Sequence, residues 1–295
     1  MRIAFLGLGL IGGSVAKAVR SAPVYGGATI VAWTPSGAGP AAARAAGTVD
    51  EAARGPEQAV RDADLVILAA PPLACVELVR ALAGELRDGL APGATVTDVA
   101  STKSALTDAA RAAGIAYVGG HPMAGRETSG FGAADADLFR DRPWIITEAV
   151  GAGDPAAVRM LAGACGAVPV ELDAARHDRL VAGISHAPLL ASAALAEAVT
   201  GAPDDRLPDW PAAARLAASG WRDATRLARG DATMGAQIAA TNAEAVALVL
   251  RRYRDRIEAW IEALEPADGV DVEALQARLE AVRSELLREP PPGGR

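Results

Sequence analysis

Arg2-Ile3-Ala4-Phe5-Leu6, running straight into Gly7-Leu8-Gly9-Leu10-Ile11-Gly12, is the stretch that decides the fold. The first five residues read as a short apolar strand, Ser14 to Arg20 reads as a helix, and the glycines form the turn between them. In such a unit the first glycine permits the tight turn and the second admits a pyrophosphate against bare backbone. The third lets helix and strand pack closely. Unpaired N–H groups at the helix start hold the phosphates. The glycine pattern alone is weak, but its place between a strand and a helix makes it specific for a dinucleotide. Gly7, Gly9, Leu10, Ile11 and Gly12 are therefore the expected cofactor contacts. Arg2 before an apolar run and Ala16-Lys17-Ala18 imitate an export signal, yet glycines at 7, 9, 12 and 13 suit a turn better than an export helix.

A second strand, Thr29 to Trp33, ends about 20 residues after the glycines, where an acidic side chain usually binds the adenosine ribose of NAD. This sequence has Trp33-Thr34-Pro35-Ser36 there, so Thr34 takes that cofactor position. No carboxylate repels a 2′-phosphate and no arginine stands immediately beside it, although Arg44 lies on the next helix. NAD and NADP both stay open, with NAD favoured because a phosphate wants a firm cationic partner. Asp64 to Ala70 reads as a strand buried on both faces. Pro71-Pro72 then places a rigid turn at the carboxyl edge of the sheet, where open α/β sheets bind ligands. Ala94 to Val99 gives a further strand, from which Ser101 and Lys103 emerge at the same edge as candidate cofactor contacts.

After a helix around Ser104 to Ala113, the strand Ile115 to Gly119 leads into His121-Pro122-Met123-Ala124-Gly125-Arg126-Glu127-Thr128-Ser129-Gly130. A histidine, which titrates near neutral pH, is here surrounded by polar side chains and by glycines that let backbone approach a ligand. Neighbouring strand ends lie about 5 Å apart, so Ser101 is expected to orient His121 through a hydrogen bond. Helix capping is the structural alternative for Ser101. Pro143 to Thr147 and Val168 to Leu172 read as the last strands.

The chain has 295 residues, 51% of them hydrophobic, enough for two sizeable cores. Its formal charge of −7 argues against nucleic acid or an anionic membrane as partner. No stretch after the N-terminal run reaches the roughly 18 uninterrupted apolar residues of a membrane span. Cys75 and Cys165 lack metal or redox spacing and read as reduced thiols of a cytoplasmic protein. Lys17 and Lys103 are the only lysines.

From Ala174 the texture changes to alanine- and leucine-rich helical spacing, with helices expected over Arg176 to Val199, Ala212 to Ala228, Gly235 to Ala263 and Val272 to Arg288. The reading is a Rossmann-type α/β dinucleotide-binding domain over residues 1–172, followed by an all-α domain over 173–295 that carries substrate and dimer contacts. In the last helix Leu275, Leu279, Val282 and Leu286 share one face, as core or as dimer contact. This half has its own polar clusters: His177-Asp178, Ser185-His186-Ala187-Pro188, and Arg222-Asp223-Ala224-Thr225-Arg226. His177 and His186 read alone as structural. Asp223 and Arg226 are spaced to pair on one helical face. Arg226 suits a cation that binds a small carboxylic acid beside the dinucleotide.

Together these motifs resemble the prephenate and arogenate dehydrogenases of tyrosine biosynthesis, in the family's order and across residues 1 to about 245. The resemblance implies an NAD- or NADP-dependent oxidative decarboxylation of a cyclohexadienol. In it His121 takes the proton of the ring hydroxyl while the nicotinamide accepts hydride. Ser101 would hold His121 in the right tautomer. Arg226, steadied by Asp223, would bind a substrate carboxylate, and Gly125, Glu127, Ser129, His186 and Arg222 would line the pocket. Many prephenate enzymes of the family carry a second histidine where this chain has Leu189, which brings arogenate into contention as substrate; the chain is similar to the 4-amino-4-deoxyprephenate dehydrogenases of secondary metabolism as well. The apolar helical stripes suggest a homodimer through the helical domain. A β-hydroxyacid dehydrogenase is disfavoured because no lysine follows Lys103. A dinucleotide-sensing protein without turnover is the alternative from another class.

Overall fold

The computed structural model describes residues 1–126, 128–202, 205–206, 208–267 and 269–288. They form two compact units, Met1–Val246 and Ala247–Arg295.

The first unit is built on an eight-stranded sheet. Its strands are β1 (Arg2–Leu6), β2 (Thr29–Trp33), β3 (Glu51–Ala52), β4 (Ala63–Leu68), β5 (Leu90–Asp98), β6 (Tyr117–Pro122), β7 (Pro143–Val150) and β8 (Val168–Glu171). They lie side by side in the order β3-β2-β1-β4-β5-β6-β7-β8. Every pairing is parallel except β6 with β7. The order reverses direction between β1 and β4, which opens the crevice where such sheets take ligands. Helices α1 (Leu10–Ser21), α2 (Ala38–Ala45), α3 (Pro56–Val60), α4 (Pro72–Ala83), α5 (Ser104–Ala113) and α6 (Pro155–Ala164) cover the sheet.

Alternate residues of each strand enter cores on opposite faces. Ile3, Phe5, Ile30, Leu65 and Ile67 join Val15 and Val19 of α1 on one side. Ala4, Leu6, Val31, Val66 and Leu68 join Val76 and Val79 of α4 on the other. Burial on both faces is why β4 reads as an unbroken apolar run rather than an alternating one. The two-residue β3 is too short to leave such a signal.

Beyond β8 the unit is helical. Helix α7 (Ala174–Val181) passes through a π turn, Ala182–His186, into α8 (Ala187–Thr200). The expected single helix is thus widened at one place. Pro188 lacks the N–H that would bond back to Ile184, and its ring crowds that carbonyl, so the turn before it opens. By length and composition alone, Ala174–Thr200 is apolar enough to cross a membrane. Within it His177, Asp178, His186 and Ser192 are nevertheless buried among polar partners. A two-stranded ribbon of β9 (Gly201–Ala202) and β10 (Asp205–Arg206) follows, then α9 (Trp210–Leu216), α10 (Ser219–Ala224) and α11 (Ala232–Thr241). Asn242 separates α11 from α12 (Ala243–Leu264), a break inside the expected helix Gly235 to Ala263.

The second unit holds most of α12 together with α13 (Val272–Arg288). The Arg278 guanidinium stacks 3.8 Å above the Trp260 ring and donates to Ala259 O at 2.8 Å, which ties the two helices. Leu279, Val282 and Leu286 are exposed, so their stripe is not core within this chain.

Behind the carboxyl edge of the sheet lies a buried polar core. Asp98 ends β5 with its carboxylate fully enclosed, paired to Lys103 Nζ and accepting the Tyr117 hydroxyl at 2.5 Å. Lys103 Nζ also donates to Gly120 O at 2.7 Å. Burial and the Asp98 charge push the Tyr117 hydroxyl well above its usual range, so it stays a donor. Removing one partner of a buried ion pair strands the other charge. Lys103→Ala should therefore lower unfolding stability by about 3–5 kcal/mol. Urea denaturation checks this, and an unchanged midpoint would rule out the ion pair as a stability determinant.

Candidate active site

The turn between β1 and α1 has the shape that a diphosphate needs. Gly7 sits at φ +105°, and a Cβ there would stand 2.2 Å from Ala69 O. A Cβ on Gly12 would lie 2.7 Å from the Ala69 side chain, so the third glycine lets α1 close onto the end of β4. Gly9 faces open space. It caps α1 without any side-chain hydrogen bond, which leaves the first N–H groups, those of Leu10 and Ile11 included, available to an anion. The residues present fit a dinucleotide. Pro71 caps α4 at the adjoining edge, and the half-buried Ser101 follows β5 at the same rim. Thr34 closes β2 with its Oγ1 accepting the Gly37 N–H at 3.1 Å.

Lys103 is not at this rim. Its side chain turns inward, fully buried, because the carboxylate of Asp98 inside the sheet demands a counter-charge. The expectation that Lys103 contacts cofactor is corrected accordingly.

His121 stands within β6 rather than in a loop after it, opposite Ile145 of β7. Its orienting partner is not Ser101. His121 Nδ1 lies 2.8 Å from His177 Nε2, and the two rings meet edge to face at 5.1 Å. His177 Nδ1 in turn lies 2.8 Å from Asp178 Oδ1. The same carboxylate accepts the backbone N–H groups of Lys103 and Ser104, each at 2.8 Å, and so caps α5 from a distant helix. Burial alone would raise the Asp178 carboxyl. The hydrogen bonds from His177 and from the start of α5 outweigh it and hold the group below its usual range.

An ionised Asp178 fixes every proton in the chain. It accepts from His177 Nδ1–H, which makes His177 Nε2 an acceptor. His121 Nδ1–H must then donate to it, leaving the lone pair on His121 Nε2. Burial, together with the neighbouring positive charge that His177, Lys103 and His186 would carry, lowers the His121 pKa well below the usual value. His121 is thus neutral at physiological pH, half-buried and built as a base.

The π turn brings a third histidine to the same cluster. Asn242 Nδ2 donates to Asp178 O at 2.8 Å and to His186 Nδ1 at 3.0 Å. The His186 proton therefore sits on Nε2, which is buried without a partner among the described residues. Burial lowers the His186 pKa to about 4. His186 is a neutral donor whose hydrogen bond is unfilled. Sequence reasoning missed Asn242, whose only signal was one polar residue inside an apolar helix pattern. It also read His177 as structural.

The remaining expected residues are more dispersed. Gly125 and Ser129 are exposed on the segment after β6. Glu127 lies outside the described residues. Helix α10 ends at Ala224, so Asp223 and Arg226 do not share a helix, and the Arg226 N–H donates to Asp223 O at 3.4 Å. Arg222 is exposed on α10. This segment is docked onto α8 by Ser192, whose hydroxyl donates to Ala224 O at 2.9 Å and accepts the Ala228 N–H at 3.2 Å. Leu189 is half-buried, with its Cδ2 3.2 Å from where a Cβ on Gly235 would stand.

Two family models match the chain. One is described as prephenate dehydrogenase, nucleotide-binding domain, over residues 15–168. The other is described as prephenate dehydrogenase, dimerization domain, over residues 173–280. A prephenate dehydrogenase of Lactococcus lactis is 30% identical over 87% of this chain and 69% of its own length. A probable prephenate dehydrogenase of Streptomyces niveus is 35% identical over 90% of this chain and 69% of its own. The crystal structure of Synechocystis arogenate dehydrogenase is 30% identical, with a TM-score of 0.75 across 97% of this chain and 99% of that one.

The depressed His186 pKa has a consequence for folding. The unfolded histidine protonates near pH 6.5, whereas the folded one resists until about 4. Between these values the unfolded state binds more protons, so stability is full above pH 6.5 and is lost as pH falls toward 4. Urea midpoints measured between pH 7 and 4.5 should fall in the wild type. They should fall less steeply in His186→Gln, and equal slopes would contradict the assignment.

Proposed function

The chain belongs to the prephenate dehydrogenase family, and we propose that it oxidatively decarboxylates prephenate or arogenate with His121 Nε2 as the base. The observation that carries this reading is the chain Asp178–His177–His121, which leaves one unprotonated nitrogen beside a dinucleotide-binding edge. When bound, the nicotinamide supplies the two-electron oxidant.

His121 Nε2 removes the proton of the ring 4-hydroxyl as C4 surrenders its hydrogen with the electron pair. The bond from C1 to the ring carboxylate breaks, CO2 departs, and its electrons complete the aromatic ring. The proton returns from His121 to the phenolate oxygen, so no net proton is released. The positive charge that His121 carries in between is steadied through His177 by the Asp178 carboxylate. Ser101 contacts the nicotinamide or substrate at the rim. His186 Nε2–H meets a substrate oxygen, which fills its unused donor. Arg226 binds a substrate carboxylate, and Asp223, Arg222, Gly125, Glu127 and Ser129 line the pocket. Residues 1–172 hold the cofactor. Residues 173–295 hold substrate and form a homodimer, for which the exposed apolar stripe of α13 is suited, and the enzyme works in the cytoplasm.

Reduced cofactor formation followed by absorbance, with prephenate, arogenate and 4-amino-4-deoxyprephenate side by side, tests the reading. His121→Asn should cut kcat by about 10²–10⁴-fold while cofactor affinity stays put. Unchanged turnover would remove His121 from the chemistry. Arg226→Ala should raise the substrate KM by roughly 10- to 100-fold with kcat much less affected; an unaltered KM would end its role as the carboxylate clamp.

A further inference from the structure

Asn242 stands at the break between α11 and α12, buried, and reaches across to the histidine cluster. Its Nδ2 lies 2.8 Å from Asp178 O and 3.0 Å from His186 Nδ1. The first contact settles which way the amide faces. A backbone carbonyl only accepts, so the end of the amide beside Asp178 O is the NH2 group, whose second hydrogen is left for the imidazole. His186 with its proton on Nδ1 would set two donors against each other. The neutral ring therefore keeps its proton on Nε2.

The amide is carried by a helix that is anchored elsewhere. Gln237 Oε1 accepts the Leu73 N–H at 3.0 Å, which docks α11 onto the start of α4, and Thr241 Oγ1 lies 3.0 Å from Thr102 Oγ1 beyond β5. Both contacts lie along the edge that the glycine turn assigns to the dinucleotide. His186 in turn closes the π turn, and its Nε2 is buried without a partner among the described residues. A buried donor with nothing to bond is unfavourable, so an oxygen brought to it gains more than at a solvated donor.

We propose that Asn242 is a positioning residue for the dehydrogenase reaction, holding His186 in the Nε2–H tautomer so that the site offers substrate a hydrogen-bond donor there rather than an acceptor. The proposal rests on the dehydrogenase reading, in which His186 Nε2–H meets a substrate oxygen. Asn242 acts through the imidazole alone. An aspartate of the same size would accept from Nδ1–H instead, and Nε2 would then turn a lone pair toward the substrate oxygen.

The 15N NMR spectrum of the full-length protein, which has three histidines, reads the tautomer directly, with the His186 signals identified by their loss in His186→Ala. At pH 8.5, where histidine is neutral, the wild type should carry this proton on Nε2 and Asn242→Asp should carry it on Nδ1. Asn242→Asp should lower kcat/KM with prephenate or arogenate about tenfold, chiefly by raising KM. In a His186→Ala background the same substitution should change kcat/KM by no more than about twofold, because no ring is left to orient. A proton on Nδ1 in the wild type, or an equal loss from Asn242→Asp in both backgrounds, overturns the proposal and leaves the dehydrogenase reading standing. Absence of turnover with prephenate, arogenate and 4-amino-4-deoxyprephenate overturns that reading, and the proposal with it.

Discussion

The carboxylate of Asp178 is the constraint on which the site depends. Its Oδ1 accepts both His177 Nδ1 and the Lys103 N–H, and its Oδ2 accepts the Ser104 N–H. One side chain thereby joins α7 to the start of α5 and sets the proton order through two histidines. Free N–H groups at a helix start also carry partial positive charge, which stabilises the ionised acid they surround. Structure and protonation are thus settled by one group: the contact that docks the helix keeps the acid charged, and the charged acid keeps His121 a base.

Behind this chain the sheet carries a second polar layer, and two glycines make room for it. A Cβ on Gly119 would come within 2.8 Å of Thr147 Oγ1 and 3.1 Å of both the Lys103 side chain and the Tyr117 hydroxyl. On Gly120 it would meet Asp98 O at 2.5 Å. Larger residues immediately before His121 would push apart the groups that satisfy Asp98. A buried charge tolerates no such loosening, because its desolvation is offset only while all its partners stay in place. The bareness of β6 at Gly119-Gly120 therefore belongs to the electrostatics under the site, whereas the glycines of the first turn serve the space above it.

The fold was largely legible because its signals are local. The run from Arg2 to Gly12, the apolar stretch of β4 and the strands at Thr29, Pro143 and Val168 each announce themselves within a few residues. Boundaries slipped where tertiary contacts overrode local preference. β6 extends through His121 because β7 pairs with it, and the long helix from Ala174 opens at the π turn that Pro188 imposes. The candidate site was legible in its residue types and not in its pairings. Ser101 and His121 both come from strand edges, yet the partner of His121 arrives from 56 residues away. Asn242 was missed because one amide within an expected helix says nothing of the partners it will meet.

The sequence by itself determined the dinucleotide turn, the order of strands and helices, and the chemistry available at His121, Ser101 and Arg226. Backbone propensity, hydrophobic period and side-chain type are properties of short segments and need no partner. Only the tertiary structure decided which nitrogen of His121 is free and that Lys103 serves the core rather than the cofactor. Each of these depends on a distance between segments remote in the chain. A hydrogen bond or ion pair acts over a few ångströms, and sheet register and helix docking alone determine which groups come within that reach.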